Sequence, residues 1–162
     1  MDELRAAAED FLSQRRIAVV GVSREGDSAA NPVYRRLREK GYEVFPVNPH
    51  ADEVEGDPCL PSVGEIPGGV DGVVVATHPA VSADVARECV AAGVPRVWFH
   101  RSFGTGSVSD EAVAVCEQAG LRVMAGACPM MFLEPVDFGH RCMRWILDKT
   151  GKLPEPTGRP TP

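Results

Sequence analysis

Gly21, Val22, Ser23, Arg24, Glu25 and Gly26 form a G-x-S-x-x-G run directly after the β-prone stretch Ile17, Ala18, Val19 and Val20. Glycines at such a turn let backbone N–H groups approach a phosphate, while Ser23 adds a hydroxyl donor and Arg24 a charged one. The run lacks the second glycine of the dinucleotide fingerprint G-x-G-x-x-G, and a plain glycine turn between strand and helix is the competing account. Thr77, His78 and Pro79 follow a third apolar run, where His78 could stack on a base or donate to a phosphate. His100 opens a second glycine-rich turn, residues 100–107, suited to a second anion or to closing over the tail of a ligand. After a fifth run, Cys128 and Pro129 precede the apolar Met130, Met131, Phe132 and Leu133. Those four either line a channel for a thiol-bearing arm, meet another subunit or plug the open end of a sheet.

The residue after the second apolar run narrows the ligand. A NAD-binding unit carries Asp or Glu there to hold the ribose diol, whereas this chain has Asn48 followed by Pro49. An amide tolerates a neighbouring anion that a carboxylate repels, which favours a phosphorylated ribose as in coenzyme A or NADP. Arg35, Arg36, Arg38 and Lys40 add positive charge to the intervening helix, either for the ligand or as a solvated face.

The elements that must position these residues follow from periodicity. Leu4, Ala7, Ala8, Phe11 and Leu12 predict an amphipathic helix over 2–14. Strands are predicted at 17–20, 42–47, 70–76, 94–100 and 121–125, each a near-continuous apolar run of the kind buried on both faces of a parallel sheet. Asn31 before Pro32 predicts a helix N-cap, with the helix ending near Lys40 and Gly41. Residues 51–69 read as a long loop with a short turn over 62–66. Ser82 is the predicted cap of a helix reaching Ala92, and Ser107 with Asp110 a capping box for a helix reaching Ala119. A last helix over 137–149 places Phe138, Cys142, Trp145, Ile146 and the stem of Lys149 on one face. Five strands alternating with helices predict an α/β, Rossmann-like three-layer fold with a parallel sheet in the order 3-2-1-4-5. A single domain over 1–150 and a flexible proline-rich tail over 151–162 follow. Ligands then belong at the C-terminal ends of the strands, near the switch between strands one and four.

Composition bounds the rest. With 162 residues, 44% hydrophobic and 25% charged, the chain fits one domain with a real core. A net charge of -6 argues against nucleic acid and anionic lipid as partners, and no apolar run approaches the ~20 residues of a membrane span. The first residues show no basic region followed by an apolar run, so the expected location is cytoplasmic. Five cysteines without a C-x-x-C spacing predict reduced thiols. A metal set from His78, His100, Cys128 and His140 has no metal-site spacing, and no metal is expected. Cys128 and His100 are suitable types for a nucleophile and a base, but nothing in the sequence supplies the orienting third group.

Residues 17–23 (IAVVGVS), 41–49 (GYEVFPVNP), 53–67 (EVEGDPCLPSVGEIP) and 92–99 (AGVPRVWF) resemble the small stand-alone CoA-binding domain proteins of bacteria and archaea. These are similar in turn to the N-terminal domain of the succinyl-CoA synthetase alpha subunit. The resemblance implies a Rossmann-like fold whose strand ends cradle the ADP part of CoA. Residue by residue it carries the phosphate turn to Gly21, Val22, Ser23 and Arg24, the strand-two end to Asn48 and Pro49, and the strand-three turn to Thr77, His78 and Pro79. Asn31 and His100 complete the expected ligand contacts. The chain departs from the common pattern after strand three, where Ala76, Thr77 and His78 replace an Arg-rich segment, and after strand four. The expected function is binding of CoA or an acyl-CoA without chemistry of its own. An NADP-type oxidoreductase, a transferase based on Cys128, and a homo-oligomer or protein partner through residues 130–133 are the alternatives.

Overall fold

The computed structural model describes residues 1–158. In chain order its elements are α1 (Asp2–Leu12), β1 (Arg16–Val20), α2 (Ala30–Glu39), β2 (Glu43–Val47), β3 (Glu53–Val54), β4 (Asp57–Pro58), β5 (Gly72–Val75), α3 (Pro79–Ala91), β6 (Arg96–Phe99), α4 (Asp110–Gln118), β7 (Arg122–Ala125) and α5 (Phe138–Lys149). Short 3-10 turns occupy Val63–Glu65 and Pro129–Met131. Successive side chains of a strand point to opposite faces, so each strand feeds two cores. Ile17, Val19, Val74, Trp98 and Met124 pack with α1, α2 and α5. Ala18, Val20, Val73, Val75, Val97, Phe99 and Val123 pack with α3, α4 and the turn near Val63. Burial on both faces is why the strands read as unbroken apolar runs. No described helix is long and apolar enough to cross a membrane.

The α/β, Rossmann-like class holds, and all five long strands are parallel. The third long strand, β5, lies beside β1 rather than beyond β2, pairing Ile17 with Gly72 and Val20 with Val75. Counted over the long strands alone, the order is 2-1-3-4-5 where the sequence reading placed 3-2-1-4-5. Pro46 gives the reason. It has no N–H to donate and therefore suits an edge strand; its carbonyl faces away from β1 and accepts the Leu60 N–H at 3.0 Å. With β2 held at the edge, the chain crosses back over β1, its 3-10 turn covering the face opposite α2. The topological switch consequently falls between β1 and β5.

Local expectations fail where a polar side chain has a better partner than its own helix. Asn31 lies inside α2, whose N-cap is Ala29. His78 caps α3, its Nδ1 accepting the Ala80 N–H at 3.1 Å, while Ser82 is buried within that helix. Ser109 caps α4; Ser107 is buried, with its hydroxyl 2.6 Å from the Val75 carbonyl. The loop over 51–69 also contains the β3–β4 hairpin, turned by Glu55 and Gly56, both with positive φ.

The C-terminal region differs more. Helix α5 buries Leu147 against the core and leaves Phe138 (78%), Trp145 (62%) and Ile146 (41%) exposed, the opposite of the expected face. It carries two apolar stripes, and periodicity does not say which faces inward. Met131 and Leu133 are buried and belong to the core beneath α5, and Met130 and Phe132 are partly buried against it, so the run plugs this end of the sheet. The expected tail over 151–162 is described as far as Gly158. Thr157 exchanges two backbone hydrogen bonds with Val123 and covers the β7 edge; residues 159–162 lie outside the described residues.

At the N-terminal edge of the sheet Asp10 joins three elements. It accepts from Arg96 Nε at 2.8 Å and from Arg122 Nη1 at 2.9 Å, tying α1 to β6 and β7 beside a cavity of about 330 Å³. The Arg96 hydrogen bond, reinforced by Arg122, holds the Asp10 carboxyl below the usual range despite desolvation. A carboxyl depressed on folding stabilises above its unfolded pKa of about 3.9 and loses that contribution as pH falls through the folded value. We expect Asp10→Asn to cost about 1–2 kcal/mol at pH 7, at the low end for a charge-assisted pair because the carboxylate is partly solvated. In urea titrations from pH 7 to pH 2, the difference from wild type should be constant above about pH 5 and vanish below the folded pKa.

Candidate functional site

The chain leaves β1 through Gly21, at the switch point. Gly21 has φ of +104°, and a Cβ there would stand 2.5 Å from the Ala76 carbonyl oxygen at the end of β5. Its N–H donates to the Val47 carbonyl at 3.0 Å, extending the ladder with β2 by one bond. Only a glycine passes between two strand ends so closely. Val22 is buried beneath, and Ser23 emerges beyond it.

Two amides fix the turn. Asn31, with no exposed surface, accepts the Ser23 N–H at 2.9 Å and donates back to the Ser23 carbonyl at 2.9 Å. Its remaining bonds go to the Ser28 hydroxyl at 2.8 Å and to Glu55 Oε1 at 2.7 Å. All four hydrogen-bonding positions of the amide are filled, so Asn31 shapes the turn rather than reaching a ligand. Asn48 donates to the Val22 carbonyl at 3.0 Å and accepts the His50 N–H at 2.8 Å across exposed Pro49. Each polar end of this amide thus makes one bond to the protein.

The charges sort into two groups. Arg35 pairs with Glu55 at 2.7 Å and Arg38 with Asp57 at 2.7 Å, while the Tyr34 hydroxyl also donates to Asp57. Asn31 and then Arg35 hold the Glu55 carboxyl below its usual range, and Tyr34 and then Arg38 do so for Asp57. The basic helix thus clasps the β3–β4 hairpin. Arg24, by contrast, is exposed and has no carboxylate partner among the described residues. The Ser23 hydroxyl donates to Asp27 Oδ1 at 2.6 Å and accepts the Glu25 N–H at 3.1 Å.

Beyond β5, Thr77 sits against Gly21 and its hydroxyl lies 3.0 Å from that of Ser82. The His78 ring is exposed; accepting at Nδ1 as the α3 cap leaves the proton of the neutral ring on Nε2, facing outward. Pro79 is the first residue of α3 and fixes the turn. His100 lies one strand further from the switch, 7% exposed, its Nε2 3.4 Å from the Ser102 hydroxyl. Desolvation drives its pKa down to about 4, so it is neutral at pH 7 and a weak base. Cys128 is 2% exposed, and burial pushes its thiol up to about 11. It belongs to the core with Met131. The two supply neither a thiolate nor an effective base near neutrality. No three His, Cys, Asp or Glu side chains converge as a metal site among the described residues.

Arg101 belongs to the glycine-rich turn over 100–107, where the sequence singles out His100 rather than this cation. Its guanidinium lies over Gly126 at the end of β7, where a Cβ would come within 3.2 Å of Nη2. It borders a hollow of about 430 Å³ lined also by Phe103, Gly104, Leu147 and Lys152. The available signal was a cation at a strand end, directly before a glycine-rich turn.

Comparison with known proteins agrees with this arrangement. A family model described as a CoA binding domain matches residues 15–134. The uncharacterized protein YneT of Bacillus subtilis is 33% identical over 125 residues, covering 76% of this chain and 90% of the relative. The alpha subunit of acetate–CoA ligase [ADP-forming] II from Pyrococcus furiosus is 30% identical over 126 residues, covering 73% of this chain. This chain spans only 27% of that subunit's length. Among solved structures, a hypothetical protein from Pyrococcus horikoshii OT3 superposes with a TM-score of 0.75 at 32% identity, covering 82% of this chain and 91% of that one. The apo dinucleotide-forming acetyl-coenzyme A synthetase 1 of Ca. Korarchaeum cryptofilum does so at 0.63 and 30% identity, covering 72% of this chain and 27% of that one. With a glycine turn at the switch point, an amide in place of the ribose-binding acid and a family match over most of its length, the chain belongs to the CoA-binding domain family.

Proposed function

We propose that this chain binds CoA or an acyl-CoA along the C-terminal edge of the sheet and performs no covalent chemistry on it. The observation that carries the reading is the turn at the switch point. Its backbone is locked by Asn31 and Asn48, its entry at Gly21 admits no side chain, and Arg24 beside it is unspent on any described carboxylate. In this reading the diphosphate lies on residues 21–26, near Arg24 and the outward Nε2–H of His78. Asn48 leaves the second strand end without a carboxylate that would repel a ribose phosphate. The thiol arm runs past Arg101 toward the hollow at residues 101–104, where Phe103 is 61% exposed. The buried Cys128 thiol and the neutral His100 support binding rather than catalysis.

Asp27 fits the same reading. Its carboxylate takes the Ser23 hydroxyl, the position a ligand phosphate oxygen would occupy, and so stands in for an anion.

Calorimetric titration and thermal unfolding with CoA, acetyl-CoA, NADP and NAD test the assignment. At about 100 times its dissociation constant CoA should add roughly 2.7 kcal/mol of stability. Arg24→Ala and Arg101→Ala should each weaken CoA by about tenfold, near 1.4 kcal/mol, with unfolding of the free protein unchanged. Stabilisation by NADP with CoA ignored would overturn the proposal.

A second pair of variants examines the turn itself. Asp27→Asn should tighten CoA by about three- to tenfold, because a phosphate no longer displaces a carboxylate, whereas Ser23→Ala should weaken it by a similar factor. Equal affinities in both variants would remove the Ser23 hydroxyl from the site.

A further inference from the structure

The outer face of α5 carries three of the exposed large hydrophobic residues, and neither the core nor the ligand site uses it. Phe138, Cys142, Trp145 and Lys149 recur every three or four residues and form one stripe, with Ile146 beside it. Phe138, Trp145 and Ile146 are 78%, 62% and 41% exposed. The opposite face is fully employed: Leu147 is buried, Met143 packs on the core, and Arg144 donates to the Met131 carbonyl at 2.8 Å. The stripe is thus a second apolar face of a helix already anchored by its first.

Its flanking charges indicate what covers it. Arg141 and Asp148 are seven residues apart, hence on the same flank at opposite ends of the helix. Both are exposed, and among the described residues neither has an ion-pair partner. Two helices packed antiparallel about a two-fold axis set like flanks together with their ends reversed. That operation brings Arg141 opposite the partner's Asp148, and Asp148 opposite the partner's Arg141. The same superposition puts Trp145 against the partner's Cys142 and Phe138 against the stem of the partner's Lys149. The surface is self-complementary in both apolarity and charge.

We propose that α5 is the interface of a homodimer in which two copies of this chain pack these stripes antiparallel. At roughly 150–250 Å² per large side chain, the three exposed residues bring on the order of 400 Å² from each copy. With the flanking stems the total comes near the ~1,200 Å² lower bound of specific interfaces. The dimer should therefore be reversible, with a dissociation constant in the micromolar range. It requires no ligand, so it stands or falls separately from CoA binding.

Sedimentation equilibrium of the free protein from about 1 μM to 500 μM tests the proposal. Wild type should pass from monomer to dimer, and Trp145→Ser, at a residue 62% exposed, should remain monomeric while staying folded. Arg141→Asp should raise the dissociation constant at least tenfold, and the double exchange Arg141→Asp with Asp148→Arg should restore it to within about threefold. The rescue is specific to an antiparallel pairing of identical helices, since an unrelated partner surface would not change with them. A wild type monomeric at every concentration, or a dimer indifferent to Trp145→Ser, would overturn the proposal, as would a double variant no tighter than Arg141→Asp alone.

Discussion

The side-chain amide of Asn31 is the interaction on which the candidate site depends. A turn leaving a parallel strand has lost its ladder partners, and its backbone groups must be satisfied some other way when buried. Asn31 supplies what the sheet no longer does, exchanging a donor and an acceptor with Ser23 as a neighbouring strand would. Its other bonds reach Ser28 and Glu55, so one buried amide joins the turn, the start of α2 and the β3–β4 hairpin. A buried amide with any of these left unpaired costs about 1–3 kcal/mol, which makes the arrangement nearly all-or-none.

The ion pairs follow from the same requirement. Glu55 can approach Asn31 only if the hairpin docks on α2, and Arg35 and Arg38 hold it there through Glu55 and Asp57. These arginines therefore serve the architecture. Cations that remain available stand elsewhere on the edge, at Arg24 before α2 and Arg101 after β6. The division separates residues that build the crevice from residues that face it. It also leaves a chain with a net charge of -6 two cations at this edge that no described carboxylate neutralises.

Further along the same edge of the sheet, after β6 and β7, burial decides the character of His100 and Cys128. Both sit at strand exits, where chemistry is done in many α/β proteins. Here the plug of Met131 and Leu133 excludes water from the last strand exit, and desolvation favours the neutral forms of both side chains. The apolar run after Cys128 carried this information, since a loop meant to expose a reactive thiol would not follow it with four apolar residues.

The sequence by itself determined the sheet, the five long strands and the glycine turn after the first. Each is encoded locally, in apolar runs of strand length and in glycines that leave no room for a side chain. The position of β2 at the edge was also present in it, in the proline of its fourth residue. Other features were not local. Asn31, Ser82 and Ser107 look like helix caps because capping residues and buried hydrogen-bonding residues are of the same types. Only the neighbours brought in from β5, the hairpin and the second glycine-rich turn show which role each plays. The two apolar stripes of α5 are equivalent in periodicity, and the packing of Leu147 onto the core chose between them. Tertiary structure decided these points because a side chain's partner depends on what the chain folds against it, at separations that no local pattern records.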